Sequence, residues 1–458
     1  MTSLSSRIES WPFSSYHRRL LVIGGLGYSF DAMDAAVLAF VLPVLRAQWS
    51  LSSLQTGVLG SATYIGFFLG ALLAGALGDL IGRRRVMMIA LAIYSAASVV
   101  SAMVHTWPTF LVARIVAGLG TGAESAIIAP YLAEFVARRY RGVFVGSLAG
   151  FFSFGFVAAA LLGYLIVPAS DDGWRIVLVL TALPVVMLLW WRRVLPESPR
   201  WLESRGRHDE AWAIVSDIER QLLAAGYTLE QSVSAENVDA VASKAPAKAS
   251  FMANFKALWT GKQARVTAMT WAMWLAITFS YYSFFTWIPG LLMQHGLTIT
   301  KSFAYSLAIY VAQIPGYFSA AWFNEKIGRQ ATIASYMVLG GVSAMVMTMT
   351  RTNEAIVVAG ICLSFFMNGT YAGVYAYTAE VFPTAIRTTG AGIASAVGRV
   401  GAIASPILVG YIFPVAGFGG VFGVTTAVLL AGALAVVTMG IKTKGMSLET
   451  IAVKELNA

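Results

Sequence analysis

Long apolar runs alternate with short charged breaks along almost the whole chain. Twelve runs read as helices: 19–45, 55–77, 86–105, 108–132, 143–168, 174–191, 266–294, 302–323, 331–350, 354–378, 388–413 and 419–441. Each approaches or exceeds the roughly 20 residues that a helix needs to cross a bilayer. The interval 192–265 has no such run. It opens with Pro196-Glu197-Ser198-Pro199-Arg200-Trp201-Leu202. Between His208 and Leu223, Ala211, Trp212, Val215, Ile218 and Leu222 share one helical face. Pro246 and two lysines mark 242–250 as a flexible stretch. The pattern therefore predicts an all-α membrane protein: six spans in 1–191, a cytoplasmic linker with short amphipathic helices in 192–265, and six spans in 266–458.

The polar breaks carry a repeat. Gly78-Asp79-Leu80-Ile81-Gly82-Arg83-Arg84-Arg85 is echoed by Asn324-Glu325-Lys326-Ile327-Gly328-Arg329, with acid, glycine and arginine at one offset (79→325, 82→328, 83→329). The same offset relates Tyr131-Leu132-Ala133-Glu134 to Tyr377-Thr378-Ala379-Glu380, and Arg141 to Arg387. Two separate charged loops sharing one offset without a gap indicate an internal duplication.

Composition agrees: 58% of residues are hydrophobic and 12% charged, with a mean hydropathy of +0.71. The net charge of +10 sits in loops between apolar runs, which argues for membrane orientation rather than nucleic-acid binding. Arg7, Arg18, Arg19, Arg83 to Arg85, Arg138, Arg139, Arg141, the linker, Lys326, Arg329, Arg387 and the C-terminal lysines fall on one side; Arg46, Arg175, Lys301 and Arg351 fall on the other. The basic side is cytoplasmic, so both termini are expected inside. The first run carries Asp31 and Asp34 and is too long for a leader, so it reads as a retained span. A single cysteine, Cys362, permits no intramolecular disulfide. No G-x-x-x-x-G-K-[ST] run provides for ATP, and His17, His105, His208 and His295 are too scattered to form a metal site. The expectation is a protein that is not an enzyme and carries no cofactor.

Gly75, Asp79, Gly82, Arg83 and Arg84 match G-x-x-x-D-x-x-G-R-R, and the chain thereby resembles the major facilitator superfamily. That resemblance implies two six-helix bundles around a central cavity that opens alternately to each side. It also implies gating roles for Asp79, Arg83, Arg84, Glu325 and Arg329. Glu134 with Arg141 and Glu380 with Arg387 are each an acid and a base across a short loop, resembling inter-domain latch pairs. Pro196–Leu202 and Glu380-x-Phe382-Pro383 resemble the sugar-porter and organic-ion branches.

Charges inside spans face a bundle interior or a wet cavity. Here they are Asp31 and Asp34 in span 1, Arg114 and Glu124 in span 4, and Arg399 in span 11. Asp31 and Asp34 lie on one helical face, where two negative charges repel. Asp34 resembles the span-1 aspartate of proton-coupled sugar porters, and Arg114-x-x-x-Gly118-x-Gly120-x-Gly122 their span-4 arginine. The resemblance implies a protonation switch between Asp34 and Arg114, and Asp31 and Glu124, as acids within the same spans, are further candidates for proton coupling; the plainer alternative is that Asp34 or Glu124 simply neutralises Arg114. Gly398-Arg399-Val400-Gly401 resembles span 11 of aromatic-acid and metabolite symporters. A guanidinium there either holds a substrate carboxylate through two hydrogen bonds or pairs with a neighbouring acid. Tyr281, Tyr282 and Trp287 beside Pro289, Tyr371 and Tyr375, and the amides Gln313 and Asn368 are candidate lining residues. Span 5 lacks the Gly-Pro pair usual in antiporters of the superfamily, which favours uptake.

Together these features resemble the metabolite:proton symporter branch, in particular bacterial niacin (nicotinate) and aromatic-acid transporters. The implied protein is a monomer in the cell membrane that takes up a small aromatic carboxylate with protons. Sugar or polyol symport, organic-cation or drug transport, and non-transporting nutrient sensing are the alternatives.

Overall fold

The apolar runs form helices, and a computed structural model describes them for residues 4–229, 251–350, 352–383 and 386–444. Arg351, Lys454 and the stretch 242–250 lie outside the described residues. No strand occurs among the described residues. Ten helices there are long and apolar enough to cross a membrane.

The difference from twelve has two local causes. Span 8 is broken into Ile299–Val311 and Gln313–Lys326. Pro315 has no N–H for the Val311 carbonyl, so the ladder fails there. Spans 11 and 12 are two helices that follow each other almost without a loop within Arg387–Met439, and Gly417 (φ 61°, ψ −160°) makes the break between them. That φ suits glycine, and Pro414 weakens the helix just before it. Span 6 is likewise interrupted, as Gly173–Thr181, a 3-10 turn at Leu183–Val186 containing Pro184, and Met187–Val194.

The linker forms the expected short helices at Pro199–Ser204 and His208–Ala224. Ser198 caps the first by accepting from the Trp201 N–H. Ala211, Val215, Ile218 and Leu222 are buried, as the face pattern requires. Glu219 on the same helix accepts from Arg7 Nε at 2.9 Å, which ties the linker to the N-terminal helix Leu4–Glu9.

Packing groups the chain into two compact units. One holds Met1–Ala35, Ile65–Phe156 and Arg175–Ala247; the other holds Ala36–Tyr64, Val157–Trp174 and Lys248–Ala458. Within the second unit, the outer halves of spans 1 and 2 pack on spans 7, 8 and 11. Phe40 meets Phe303 and Tyr310 edge-on or tilted, with ring centroids 5.2 and 5.6 Å apart. Ser61 donates to the Ile403 carbonyl at 2.7 Å. Gly57 approaches so closely that a Cβ would stand 2.4 Å from the Pro406 carbonyl oxygen.

Candidate functional site

The charged loops fold in the same way in both repeats. Gly82 and Gly328 take φ of 101° and 96°, so the chain can turn sharply ahead of Arg83 and Arg329. Arg83 pairs with Glu134 at 3.1 Å and reaches Asp79 at 3.6 Å. Arg329 pairs with Glu380 at 3.0 Å and with Glu325 at 2.7 Å. Each arginine therefore joins its own loop to the acid that ends span 4 or span 10.

The acid–base pairs seven residues apart are not direct partners. Arg141 pairs with Glu9 at 3.3 Å and donates to the Ala133 and Val136 carbonyls. Arg387 donates to the Phe382 carbonyl. Geometry explains this: each arginine lies in the first turn of a helix, and the carbonyls at the end of the preceding segment are within its reach.

The Pro-Glu-Ser-Pro-Arg run docks onto the first loop. Glu197 accepts from the Arg84 backbone N–H at 3.1 Å, and Ser198 donates to Glu134. Trp201 Nε1 donates to the Asp79 carbonyl at 2.8 Å. Arg84 turns away to the Arg192 carbonyl. Burial pushes the Glu134 carboxyl above the ordinary carboxylate range, while Ser198 and Arg83 pull it partly back. The second repeat has a counterpart that sequence reading missed. Tyr131 donates to the Pro196 carbonyl, and Tyr377 donates to the Ile441 carbonyl at 2.7 Å, so each repeat's tyrosine clasps the segment leaving its sixth span.

Inside the first unit, Asp34 and Arg114 are fully buried and face each other. Arg114 Nη2 donates to Asp34 Oδ2 at 2.8 Å and Nη1 to Oδ1 at 3.2 Å, a two-point contact. Ser98 and Thr181 also donate to Oδ1, at 2.7 and 3.1 Å. Asp34, not Glu124, is therefore the neutralising acid. Ser98 and Thr181 carry no charge or motif, which is why the sequence did not single them out.

Asp31 and Glu124 are placed differently. Asp31 Oδ2 accepts from Ser125 at 2.6 Å, while Oδ1 is buried with no hydrogen-bond partner among the described residues. Glu124 is fully buried, and neither carboxyl oxygen has a partner among them. The carboxyl stands against span 1 at Gly27, where a Cβ would lie 3.0 Å from Oε1. Asp31 is close enough for their charges to interact. Tyr94, also buried and with an unpartnered hydroxyl, interacts with both acids. Leaving a buried carboxylate without a partner is costly.

Inside the second unit, Arg399 is half-buried and lies near enough to Tyr282 to interact with it. Tyr282 packs 5.2 Å from Tyr281, which packs 5.2 Å from Tyr371. Tyr371 stacks 6.1 Å from Tyr375. Span 7 thus supplies two tyrosines and span 10 two more, and of these Tyr282 and Tyr371 lie near enough to Arg399 to interact with it. Gln313, buried at the break in span 8, accepts from the Tyr281 hydroxyl at 2.8 Å, and its backbone carbonyl accepts from Asn368 at 2.7 Å. The Tyr371 hydroxyl and Gln313 Nε2 are buried without a partner among the described residues. Tyr64 of span 2, missed in the sequence, lies 4.4 Å from Tyr282. Trp287 is not in this cluster; its indole N–H is held by the Pro406 carbonyl at 3.2 Å, nearer the outer end of span 7.

Comparison with known proteins gives a consistent result. The profile of the family described as "Sugar (and other) transporter" matches residues 23–454. A relative named niacin transporter NiaP, from Acinetobacter baylyi (strain ATCC 33305 / BD413 / ADP1), is 38% identical over 98% of this chain and 99% of its own. A Bacillus subtilis (strain 168) protein, provisionally named a niacin/nicotinamide transporter NiaP, is 35% identical over 94% of this chain and 98% of its own. Among solved structures, a partially occluded inward-open form of the xylose transporter XylE from E. coli superimposes with a TM-score of 0.77. It covers 95% of this chain and 100% of that one at 20% identity, a likeness of fold. With the twelve-span pattern, the duplicated loops and this full-length match, the chain is a multi-pass membrane transporter that belongs to the family described as "Sugar (and other) transporter".

Proposed function

We propose that this protein takes up a small aromatic carboxylate, nicotinate being the best-supported example, in symport with protons. The observation that carries this reading is Arg399 set among tyrosines, with the Tyr371 hydroxyl and Gln313 Nε2 left over as donors. A carboxylate accepts two parallel hydrogen bonds from a guanidinium, and a flat ring stacks between tyrosine faces. Tyr281, Tyr282, Tyr371 and Tyr375 would supply those faces, and Gln313, with Asn368 steadying it, a polar end. The niacin names of the relatives agree with that chemistry.

For the proton, Asp31 and Glu124 are better placed than Asp34. Asp34 is tied to Arg114, Ser98 and Thr181, whereas Glu124 has no partner and Asp31 has one oxygen without. Proton entry and exit at this pair would change the charge of the first half as the halves 1–191 and 266–458, joined by 192–265, rock against each other. The loop clusters at Asp79–Arg83–Glu134 and Glu325–Arg329–Glu380 would bias that rocking from the cytoplasmic side. The sealed Asp34 also weakens the organic-cation alternative, since one of its binding carboxylates is already matched.

The test is uptake of radiolabelled nicotinate into proteoliposomes with an imposed inward proton gradient. Glu124→Gln should abolish gradient-driven accumulation while leaving exchange of labelled for unlabelled nicotinate at least half intact. Accumulation that persists in Glu124→Gln and in Asp31→Asn would overturn the coupling assignment.

A further inference from the structure

A cavity of about 600 Å³ lies at the outer ends of spans 1, 2 and 7, all within the second unit. Its walls include Pro43, Arg46, Thr56, Trp287, Met293 and Gln294. Arg46 belongs to the sparse set of cations on the outer side of the sequence map. It is half-buried at the end of the first helix and its Nη2 donates to Ser53 at 3.0 Å. Its Nη1 is buried and has no hydrogen-bond partner among the described residues. Trp287 presents a buried ring, fixed in place by its bond to the Pro406 carbonyl.

A guanidinium with an unused donor, a rigid aromatic wall, apolar Pro43 and Met293, and polar Thr56 and Gln294 make one kind of site. They repeat at the outer surface the chemistry found around Arg399. We infer that this cavity is an outer vestibule subsite for the same class of ligand, a small aromatic carboxylate, occupied on the way to or from the Arg399 site. The inference rests on the carboxylate reading of Arg399 and adds a second, independent binding position. A cation at the outer mouth also raises the local concentration of an anionic ligand before it enters. The vestibule is set by the outer halves of spans 1 and 2 packed on span 7, so it keeps this shape while that packing holds.

The experiment is equilibrium binding of nicotinate to the purified full chain, with stoichiometry read from saturation. The wild type should bind two molecules, one more weakly. Arg46→Gln should lose the weaker site, by about 10-fold or more in affinity, and keep the tighter one; Arg399→Gln should do the reverse. Met293→Trp, which fills the cavity without touching Arg46, should also remove the weaker site alone. Retention of the tighter site in Arg46→Gln and Met293→Trp shows that both variants are folded. A stoichiometry of one in the wild type, removed by Arg399→Gln, overturns the vestibule and leaves the Arg399 reading standing. A second site that survives both Arg46→Gln and Met293→Trp also overturns it. No nicotinate binding at all overturns the Arg399 reading and the vestibule with it. If Arg46→Gln removes both sites, Met293→Trp decides: loss of the weaker site alone upholds the subsite, and loss of neither or of both overturns it.

Discussion

Arg114 and Arg399 both lie well inside spans, and their surroundings differ. Arg114 is fully buried and matched at two points to Asp34, with Ser98 and Thr181 completing the acid's hydrogen bonds. Arg399 is half-buried, interacts with Tyr282, and stands among aromatic faces and unused donors. The first arrangement is a finished ion pair, whose removal harms the fold. The second is, in the proposed function, the surface that receives the ligand. Intramembrane charge alone does not mark a binding site; what surrounds the charge does.

The sharpest way to break the comparison is to strip Arg114 of its partner. Asp34→Asn leaves a buried guanidinium uncompensated and should cost about 3–5 kcal/mol of stability. Thermal unfolding in detergent reads this, and Arg399→Gln should lie within about 1 kcal/mol of wild type in the same assay. Equal losses for the two variants would erase the distinction. Next in size, Arg399→Gln should weaken nicotinate binding by about 2 kcal/mol, roughly 30-fold. Tyr371→Phe removes a hydroxyl that no protein group uses, so stability should hold while affinity falls by about 1 kcal/mol, near five-fold.

The cytoplasmic loop provides a smaller effect with a definite sign. Because burial raises the Glu134 carboxyl above the ordinary range, its ionised form opposes the folded state. The stability contributed by its protonated form is complete at acidic pH and is lost as pH rises through the raised value. On lowering pH from 7 toward 5, wild type should therefore gain stability relative to Glu134→Gln, by no more than about 1 kcal/mol. Smallest of all is Asp79→Asn. Asp79 is largely exposed and 3.6 Å from Arg83, so its loss should cost under about 1 kcal/mol. Turnover should slow with affinity unchanged; a lost affinity at normal turnover would contradict a gating role.

Much of the fold was legible in the sequence because a membrane imposes a coarse rule: apolar runs of about 20 residues span, and charge collects at their ends. The breaks inside spans 6 and 8, and the joint of spans 11 and 12 at a single glycine, were not legible. They turn on Pro184, Pro315 and Gly417, single residues whose effect depends on packing. In the site, the charged residues could be named from the sequence because charge within a span is conspicuous. Their partners could not. Ser98, Thr181, Ser125 and Tyr64 are ordinary polar or aromatic residues, and three-dimensional contact alone brings them to Asp34, Asp31 and Tyr282. Trp287 shows the converse: an aromatic close in sequence to Tyr281 and Tyr282 but placed at the outer cavity.

The central claim is that Arg399 holds a carboxylate. Binding of nicotinate and of nicotinamide, which share a ring and differ in that group, tests it on wild type and Arg399→Gln. The account predicts that wild type binds nicotinate at least about 10-fold more tightly than nicotinamide, and that Arg399→Gln erases this preference. An undiminished preference in Arg399→Gln would contradict it.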